Sequence, residues 1–195
     1  MKNMFKISCM LVLLMSITTT AFSHEKGQTK LGIGVMFGLP MGDLGDMSNN
    51  GIGFGAECKS FMSDKFAIGV QVGLISFPVK DEFVEAIAGA SGTGVSASSQ
   101  FIPLLATFDL FLANDGFNPY IGAGAGLYIW AVNALKTGVS TSILYSDVGV
   151  APHFGFQYEL SDRIDLNVCA NYNMVFTEGS GSTFLTVNGG LLINL

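Results

Sequence analysis

Apolar and non-apolar residues alternate along most of the chain with a period of two, which is the side-chain period of a β-strand. In residues 119–131 one face carries only Ile, Ala and Leu after Pro119. The other carries Gly122, Gly124 and Gly126 between aromatic residues. Three glycines on one face leave bare backbone, so we expect something to approach that face closely. Large side chains that cross a narrow barrel lumen would fit this space.

Eight segments share the alternation, namely residues 31–39, 51–61, 65–77, 100–112, 119–131, 147–160, 163–174 and 183–195. Their connections alternate in length. Short ones cover residues 62–64, 113–118 and 161–162, and longer ones cover residues 40–50, 78–99, 132–146 and 175–182. This pattern predicts an all-β fold, an eight-stranded antiparallel up-and-down transmembrane β-barrel with short periplasmic turns and longer extracellular loops.

Two local features modify this picture. Pro103 and Pro152 fall inside predicted strands, where they lack the N–H of a regular ladder, so we expect bulges or irregular pairing near them. Within the longest connection, the sequence from Lys80 to Ala88 predicts about two helical turns.

Alternation alone leaves open which face points outward. In a soluble lipocalin-like carrier, which is one alternative, the apolar face lines the interior. Here the non-apolar face is mostly glycine, asparagine and alanine, which suits a lumen better than a water-facing surface. The apolar face therefore predicts a lipid-facing band. Aromatic residues near the strand ends predict two interfacial girdles: Phe61, Phe66, Phe117, Tyr120 and Tyr158 on the turn side, and Phe77, Phe101, Trp130, Tyr145 and Phe176 on the loop side.

The N-terminal residues have the pattern of a secretory signal peptide. Lys2 and Lys6 precede the apolar run from Met10 to Ile17, and Ala21-Phe22-Ser23 is a small-x-small cleavage site. The run is shorter than the ~20 residues that a spanning helix needs. We therefore predict a signal peptide at residues 1–23 and one β-barrel domain at residues 24–195.

Charge excludes one class of partner. The predicted signal peptide holds two of the nine basic residues and none of the fifteen acidic ones, so the rest of the chain has a net charge of −8. Such an acidic chain is a poor nucleic-acid binder. Charged residues make up 12% of the chain, against about 25% in soluble proteins. Few charges without a predicted spanning helix favour a closed barrel in a membrane.

Three stretches carry a resemblance to a known family: Phe101-Ile102-Pro103-Leu104-Leu105-Ala106, Pro119 to Gly126, and the final alternating segment. Over residues 24–195 the chain resembles the small eight-stranded outer-membrane β-barrel proteins, often labelled porin-like. The resemblance implies the cell outer membrane of a Gram-negative envelope, contact with outer-membrane lipids and insertion by the barrel-assembly machinery. It implies no catalytic set. Such chains usually end in an aromatic residue, whereas this one ends in Leu195.

Polar residues on the non-apolar face predict a lumen network. Its members are Glu57, Lys59, Gln71, Asp109, His153, Gln157, Glu159 and Asp165, and the alternation also places Lys65 and Arg163 there. Charges in a narrow lumen must pair or contact water. Eight strands leave room mainly for side chains, which favours a structural, salt-bridged plug over an ion-selecting lining.

The function predicted from these features is non-enzymatic: a structural or surface-interaction role with at most a narrow pore. One alternative is a lipid-modifying enzyme with His153 as base, although no local motif places a serine beside it. No zinc, haem or phosphate-loop motif is present, so no cofactor is predicted. Outer acidic residues, among them Asp43, Asp46 and Asp81, could hold divalent cations or a basic partner, or form a solvated surface. The sequence does not specify an extracellular partner.

Two cysteines remain after the predicted signal peptide. Cys58 shares the apolar parity of its segment, and Cys169 shares the polar parity of its own. A disulfide needs side chains that point together, so we predict two free thiols on opposite sides of the barrel wall.

Overall fold

A computed structural model describes residues 26–88, 95–113, 116–136, 139–177 and 180–195. The predicted signal peptide at residues 1–23 and the predicted mature start at His24 lie outside the described residues.

The described residues form eight strands that close into one barrel in the order β1 to β8, each pairing with its neighbours along the chain. The strands are β1 Thr29–Met41, β2 Gly51–Ser63, β3 Phe66–Pro78, β4 Val95–Phe111, β5 Phe117–Lys136, β6 Val139–Ser161, β7 Ile164–Thr177 and β8 Ser180–Asn194. β1 also pairs antiparallel with β8, which removes the free sheet edge. The predicted fold class is confirmed.

The strand register is staggered around the barrel. A path that follows paired residues from Leu31 through all eight strands returns to β1 at Met41, ten residues further along. A stagger of this kind requires strands tilted against the barrel axis. Side chains from all strands consequently meet in one narrow lumen.

Three of the four long loops are shorter than the sequence predicts. β4 begins at Val95, the β5–β6 hairpin pairs out to Lys136 and Val139, and β7 and β8 pair out to Thr177 and Ser180. Residues 132–146 include Val132, Val139, Thr141, Ile143 and Tyr145, which favour extended backbone. The connection at 132–146 was therefore wrongly predicted to be a loop.

The predicted orientation of the two faces is correct. Ile33 and Ile52 are each 74% exposed on the outer surface, and Val35 is 70% exposed. A polar lumen inside an apolar outer band is opposite to the arrangement of a lipocalin-like carrier, and that alternative is wrong. Among the described residues, no helix has both the length and the apolar character that a membrane crossing requires.

Both in-strand prolines lie at gaps in the ladder. Between β3 and β4, pairing stops at Val72↔Leu104 and resumes at Ile75↔Phe101, on either side of Pro103. The β6–β7 ladder has a similar gap at Pro152, between pairs Val150↔Met174 and His153↔Asn171. The register is the same on both sides of each gap, because a missing N–H removes a bond without inserting a residue. Irregular pairing near the prolines is confirmed.

The predicted aromatic girdles are only partly correct. Phe61, Phe77, Phe101 and Tyr120 are at most 1% exposed and lie inside the lumen. They share the non-apolar parity of their strands, which decides their direction more strongly than nearness to a strand end. The lumen-side parity also holds Trp130 and Tyr145. Residues that do face outward include Phe66, Phe117 and Phe176.

Two described helices lie at the outer end of the barrel. The helix predicted from Lys80 to Ala88 is confirmed as α2, Asp81–Ala88. A shorter helix, α1, covers Gly42–Met47 and was not predicted. Its Leu44 is 7% exposed and packs onto the apolar core at the barrel mouth.

Candidate functional site

An ion pair lies at the periplasmic end of the lumen. Lys30 Nζ on β1 lies 2.5 Å from Asp165 Oδ2 on β7, and both side chains are at most 1% exposed. The same ammonium donates to Gln157 Oε1 at 3.3 Å and lies 5.2 Å from the ring centroid of Phe61. Phe61 in turn packs on Phe111, with their ring centroids 5.1 Å apart. A paired charge beside two packed aromatic rings therefore fills this end.

A second charged cluster lies deeper in the lumen. Lys59 Nζ lies 2.9 Å from Asp109 Oδ2 and 3.3 Å from Glu57 Oε2. His153 Nε2 lies 2.6 Å from Asp109 Oδ1, and His153 Nδ1 lies 3.1 Å from the carbonyl oxygen of Ala151. Both ring nitrogens of His153 therefore already lie against oxygen acceptors.

Tyr120 and Asn167 connect this cluster to the opposite wall. The Tyr120 hydroxyl donates to Asn167 Oδ1 at 2.9 Å, and Asn167 Nδ2 donates to Glu57 Oε1 at 2.6 Å. The Lys59 ammonium lies 4.4 Å from the Tyr120 ring centroid. Each charge thus has a second polar or aromatic contact, as a desolvated ion requires.

An amide belt follows toward the outer end. Asn173 accepts a 2.9 Å hydrogen bond from the Tyr128 hydroxyl and donates to Thr186 Oγ1 at 3.2 Å. Asn171 Nδ2 donates to the same Thr186 oxygen at 3.2 Å. The belt satisfies buried amides on β7 without adding charge.

The glycines opposite these groups are sites of close approach. A Cβ built on Gly122 would lie 2.5 Å from Asp109 Oδ1, and one on Gly155 would lie 2.8 Å from the Tyr120 ring. A Cβ on Gly124 would lie 3.3 Å from Leu105. Side chains from the neighbouring paired strands, β4 and β6 beside Gly122 and β5 beside Gly155, occupy the space that the glycines leave. The close approach expected at residues 119–131 is confirmed.

The outer half of the lumen has the opposite chemistry. Phe77, Phe101 and Phe184 are at most 1% exposed. Phe184 lies 5.1 Å from Phe101 and 5.4 Å from Phe77 between ring centroids. Leu44 of α1 joins the same cluster from above, so an apolar layer fills the barrel below its mouth.

Two small adjoining cavities remain inside the polar half. Their volumes are about 20 and 30 Å³, and Glu57, Gln71, Asn167 and Asn188 line both. Each cavity has room for about one or two water molecules. Neither amide atom of Asn188 has a partner among the described residues, so a water molecule in these cavities would satisfy it.

Seven of the eight residues of the predicted network fall into three groups. The deeper cluster contains Glu57, Lys59, Asp109 and His153; the periplasmic pair involves Gln157 and Asp165; and Gln71 lines the cavities. Glu159 is half-buried and pairs in register with Asp165.

Two of the additional lumen assignments are wrong. Lys65 and Arg163 are exposed and lie in the short turns, because β3 begins at Phe66 and β7 at Ile164. Turn residues are outside the pleat, so strand parity does not fix their direction.

Sequence reasoning missed several members of the network. Lys30 has the parity of Gly32 and Gly34 but precedes the predicted start of the first strand by one residue. Tyr120 was assigned to a girdle. The asparagines of β7 had the correct parity, but their hydrogen-bond partners lie on other strands and leave no local sequence signal.

The cluster geometry limits its chemistry. His153 contacts a carboxylate and a backbone carbonyl, and no hydroxyl lies among its hydrogen-bond partners in the described residues. No group of three His, Cys, Asp or Glu side chains suited to a metal ion occurs in the part of the chain that the structure describes. The arrangement holds charge and fills space.

Both cysteines of the barrel are free. Cys58 pairs in register with the outward-facing Leu31 and Val70. Cys169 is 6% exposed in the lumen, where its thiol donates to Asn171 Oδ1 at 3.4 Å. The structure confirms the predicted pair of free thiols on opposite sides of the wall.

The match to a family of known proteins agrees with the barrel fold. Residues 9–191 match the family model described as the outer membrane protein beta-barrel domain. No curated protein sequence matches the chain.

Solved structures share the fold at low identity. Ail, the attachment invasion locus protein of Yersinia pestis, is 14% identical with a TM-score of 0.57, covering 87% of this chain and 99% of that chain. A structure of Ail in complex with the heparin analogue sucrose octasulfate is 13% identical with a TM-score of 0.61, at 87% and 99% coverage. OprG from Pseudomonas aeruginosa is 14% identical with a TM-score of 0.60, at 89% and 98% coverage. The closed barrel, its apolar outer band and the family match establish that this chain belongs to the outer membrane protein beta-barrel domain family and is located in the cell outer membrane.

Proposed function

We propose that this protein is a non-enzymatic outer-membrane barrel with a structural, side-chain-filled lumen and an outer end that serves as its interaction surface. The filling of the lumen is the observation that carries the proposal. Ion pairs and amides occupy its periplasmic half, and aromatic side chains occupy its outer half. Such a core rigidifies the barrel and leaves at most a narrow path for solutes.

The environment of His153 supports the non-enzymatic part of the proposal. A general base must lie within hydrogen-bond reach of the proton that it abstracts. Both nitrogens of His153 already contact acceptors, and the side chain is 4% exposed. An acyl chain in the surrounding membrane would have no access to it.

The outer end supports the surface role. Asp43 and Asp46 on α1 and Asp81 and Glu82 on α2 are exposed. Lys80 Nζ donates to the carbonyl oxygens of Gly45 and Asp46 at 2.8 and 2.9 Å, which ties the two helical connections together. The described outer surface is thus ordered, acidic and directed away from the membrane.

The bound sucrose octasulfate of the Ail complex is a sulfated polyanion. We do not extend that ligand to this chain, because the exposed carboxylates of α1 and α2 would repel it. Titration of the purified barrel with sucrose octasulfate should therefore give no saturable binding.

Biogenesis belongs to the same proposal. We infer that residues 1–23 direct export and that the barrel-assembly machinery reads the final strand, in which Leu191, Ile193 and Leu195 keep the outward apolar pattern.

Lipid analysis tests the non-enzymatic claim. Outer membranes from cells that produce the natural chain, the His153→Ala variant or neither chain should have the same phospholipid and lipopolysaccharide acyl composition by mass spectrometry. An acyl change that requires the natural chain and disappears with His153→Ala would refute the proposal.

A further inference from the structure

A partly exposed aromatic pair lies at the outer mouth of the barrel. Trp130 on β5 and Tyr145 on β6 pair in register. Their rings are stacked, with centroids 4.4 Å apart and planes 20° from parallel. Tyr145 is 45% exposed, and Trp130 is the single tryptophan of the chain.

This pair is not part of a lipid-facing aromatic belt. Tyr145 and Trp130 have the lumen-side parity of their strands, and Trp130 also stacks on the buried Phe101 at a centroid distance of 6.1 Å. The free face of Tyr145 is therefore directed to the mouth of the barrel. The ring stack therefore presents one aromatic face to a ligand or partner at the mouth.

A fixed carboxylate stands beside the two rings. Asp147 Oδ2 accepts hydrogen bonds from Trp130 Nε1 at 2.6 Å and from Thr177 Oγ1 at 3.1 Å. Two donors therefore fix the carboxylate beside the rings, and among the described residues no donor to its Oδ1 is present.

The charge of the surrounding surface favours a donor group that is a cation. In the described outer connections, four exposed acidic side chains stand against Lys80: Asp43, Asp46, Asp81 and Glu82. Lys80 is engaged by backbone carbonyls. Such a rim attracts cations and repels anions.

We propose that Tyr145, Trp130 and Asp147 form a binding site for a cationic side chain, specifically an arginine guanidinium in a basic polypeptide segment outside the cell. A guanidinium stacks on an aromatic face and donates to a carboxylate at the same time. This inference rests on the proposed surface role and adds the chemistry of the partner.

Trp130 provides the readout. The purified barrel in zwitterionic lipid nanodiscs is titrated with a hexa-arginine peptide, with a hexa-glutamine peptide as the neutral control. We expect a saturable change in tryptophan fluorescence with the arginine peptide alone.

Two variants within the proposed site and one charge control outside it test the assignment. Asp147→Asn keeps an acceptor for the indole N–H but removes the charge, and should weaken binding about ten-fold. Tyr145→Leu should weaken it by several fold through loss of the stacking face. The Asp81→Asn/Glu82→Gln double variant removes two charges away from the platform and should weaken binding less than Asp147→Asn does.

Two results would overturn the site. One is the absence of a saturable signal with hexa-arginine. The other is a loss of affinity in the double variant that equals or exceeds the loss in Asp147→Asn, which would indicate diffuse attraction. Either result leaves the filled lumen and the non-enzymatic role intact, because conductance tests the first and lipid composition tests the second.

Discussion

The two halves of the lumen solve the same packing problem with opposite chemistry. Toward the periplasm, Lys30, Lys59, Asp109 and Asp165 are buried as ion pairs. Toward the outer end, Phe77, Phe101 and Phe184 fill the barrel with rings. Glycines serve both halves, since Gly122 gives space to the His153–Asp109 contact and Gly149 gives space to Tyr128.

Substitutions should therefore destabilise the two halves of the lumen in different ways. A buried ion needs its partner, and removal of one partner leaves an uncompensated charge. A ring in a packed layer loses contacts and leaves a cavity. Stability in the polar half therefore depends on pairs, whereas stability in the apolar half depends on volume.

The largest effect is expected from Asp109→Leu, which removes the carboxylate shared by Lys59 and His153. Lys59 would keep only its longer contact to Glu57, and His153 would lose its carboxylate partner. Loss of this buried partner should lower the free energy of unfolding by about 4 kcal/mol. Urea unfolding in detergent micelles, followed by heat-modifiable gel migration, measures this change.

The matched control is the Lys59→Met/Asp109→Leu double variant. Removal of both charges should recover part of the lost stability, because Glu57, which loses Lys59, keeps its hydrogen bond from Asn167. A double variant no more stable than Asp109→Leu would contradict the importance of pairing in this half.

In the outer half, Phe184→Ala should lower the free energy of unfolding by about 3 kcal/mol, because the ring contacts both Phe77 and Phe101 and would leave a cavity. The same urea series provides the measurement. A second truncation, Phe77→Ala, should add to the loss. If the Phe77→Ala/Phe184→Ala variant were more stable than Phe184→Ala, the contrast between pairing in one half and volume in the other would be contradicted.

Substitution of a lumen glycine should lower the free energy of unfolding by a smaller amount. Gly122→Ala places a Cβ 2.5 Å from Asp109 Oδ1, and overpacking should cost about 2 kcal/mol. Gly189→Ala is the matched control, because a Cβ there meets nothing within 4 Å. The measurement is the temperature at which each variant shifts from folded to unfolded migration on a gel. Equal temperatures for the two variants would show that Gly122 is not needed for close approach.

The sequence predicted the barrel and its two faces because both depend on a local period of two. Parity placed Glu57, Lys59, Asp109 and His153 inside without knowledge of their partners. It also placed Phe77 and Phe101 inside, but their position near strand ends led to the wrong prediction of a girdle.

The sequence could not show which lumen side chains pair with each other, and the reason is physical. Asp165 pairs with Lys30 from the opposite end of the chain, and this meeting depends on the closure of β8 onto β1 and on the stagger of the strands. The ends of the strands were also uncertain. Extension of the β5–β6 hairpin to Lys136 and Val139 depends on cross-strand pairing that no single segment shows.

The smallest effect on the barrel is expected outside the lumen. Lys80→Met removes the hydrogen bonds to the carbonyl oxygens of Gly45 and Asp46 and should change the free energy of unfolding by less than about 1 kcal/mol. Limited proteolysis on intact cells should nevertheless cut the α1 and α2 connections faster. An unchanged cleavage rate would show that Lys80 does not hold them together.

Planar-bilayer conductance tests the central claim, that side chains close the lumen along its length. The purified natural chain, inserted into a bilayer and compared with detergent alone, should produce no reproducible channel openings, because ion pairs fill one half of the lumen and aromatic rings fill the other. Steady, uniform openings from the natural chain would contradict the account.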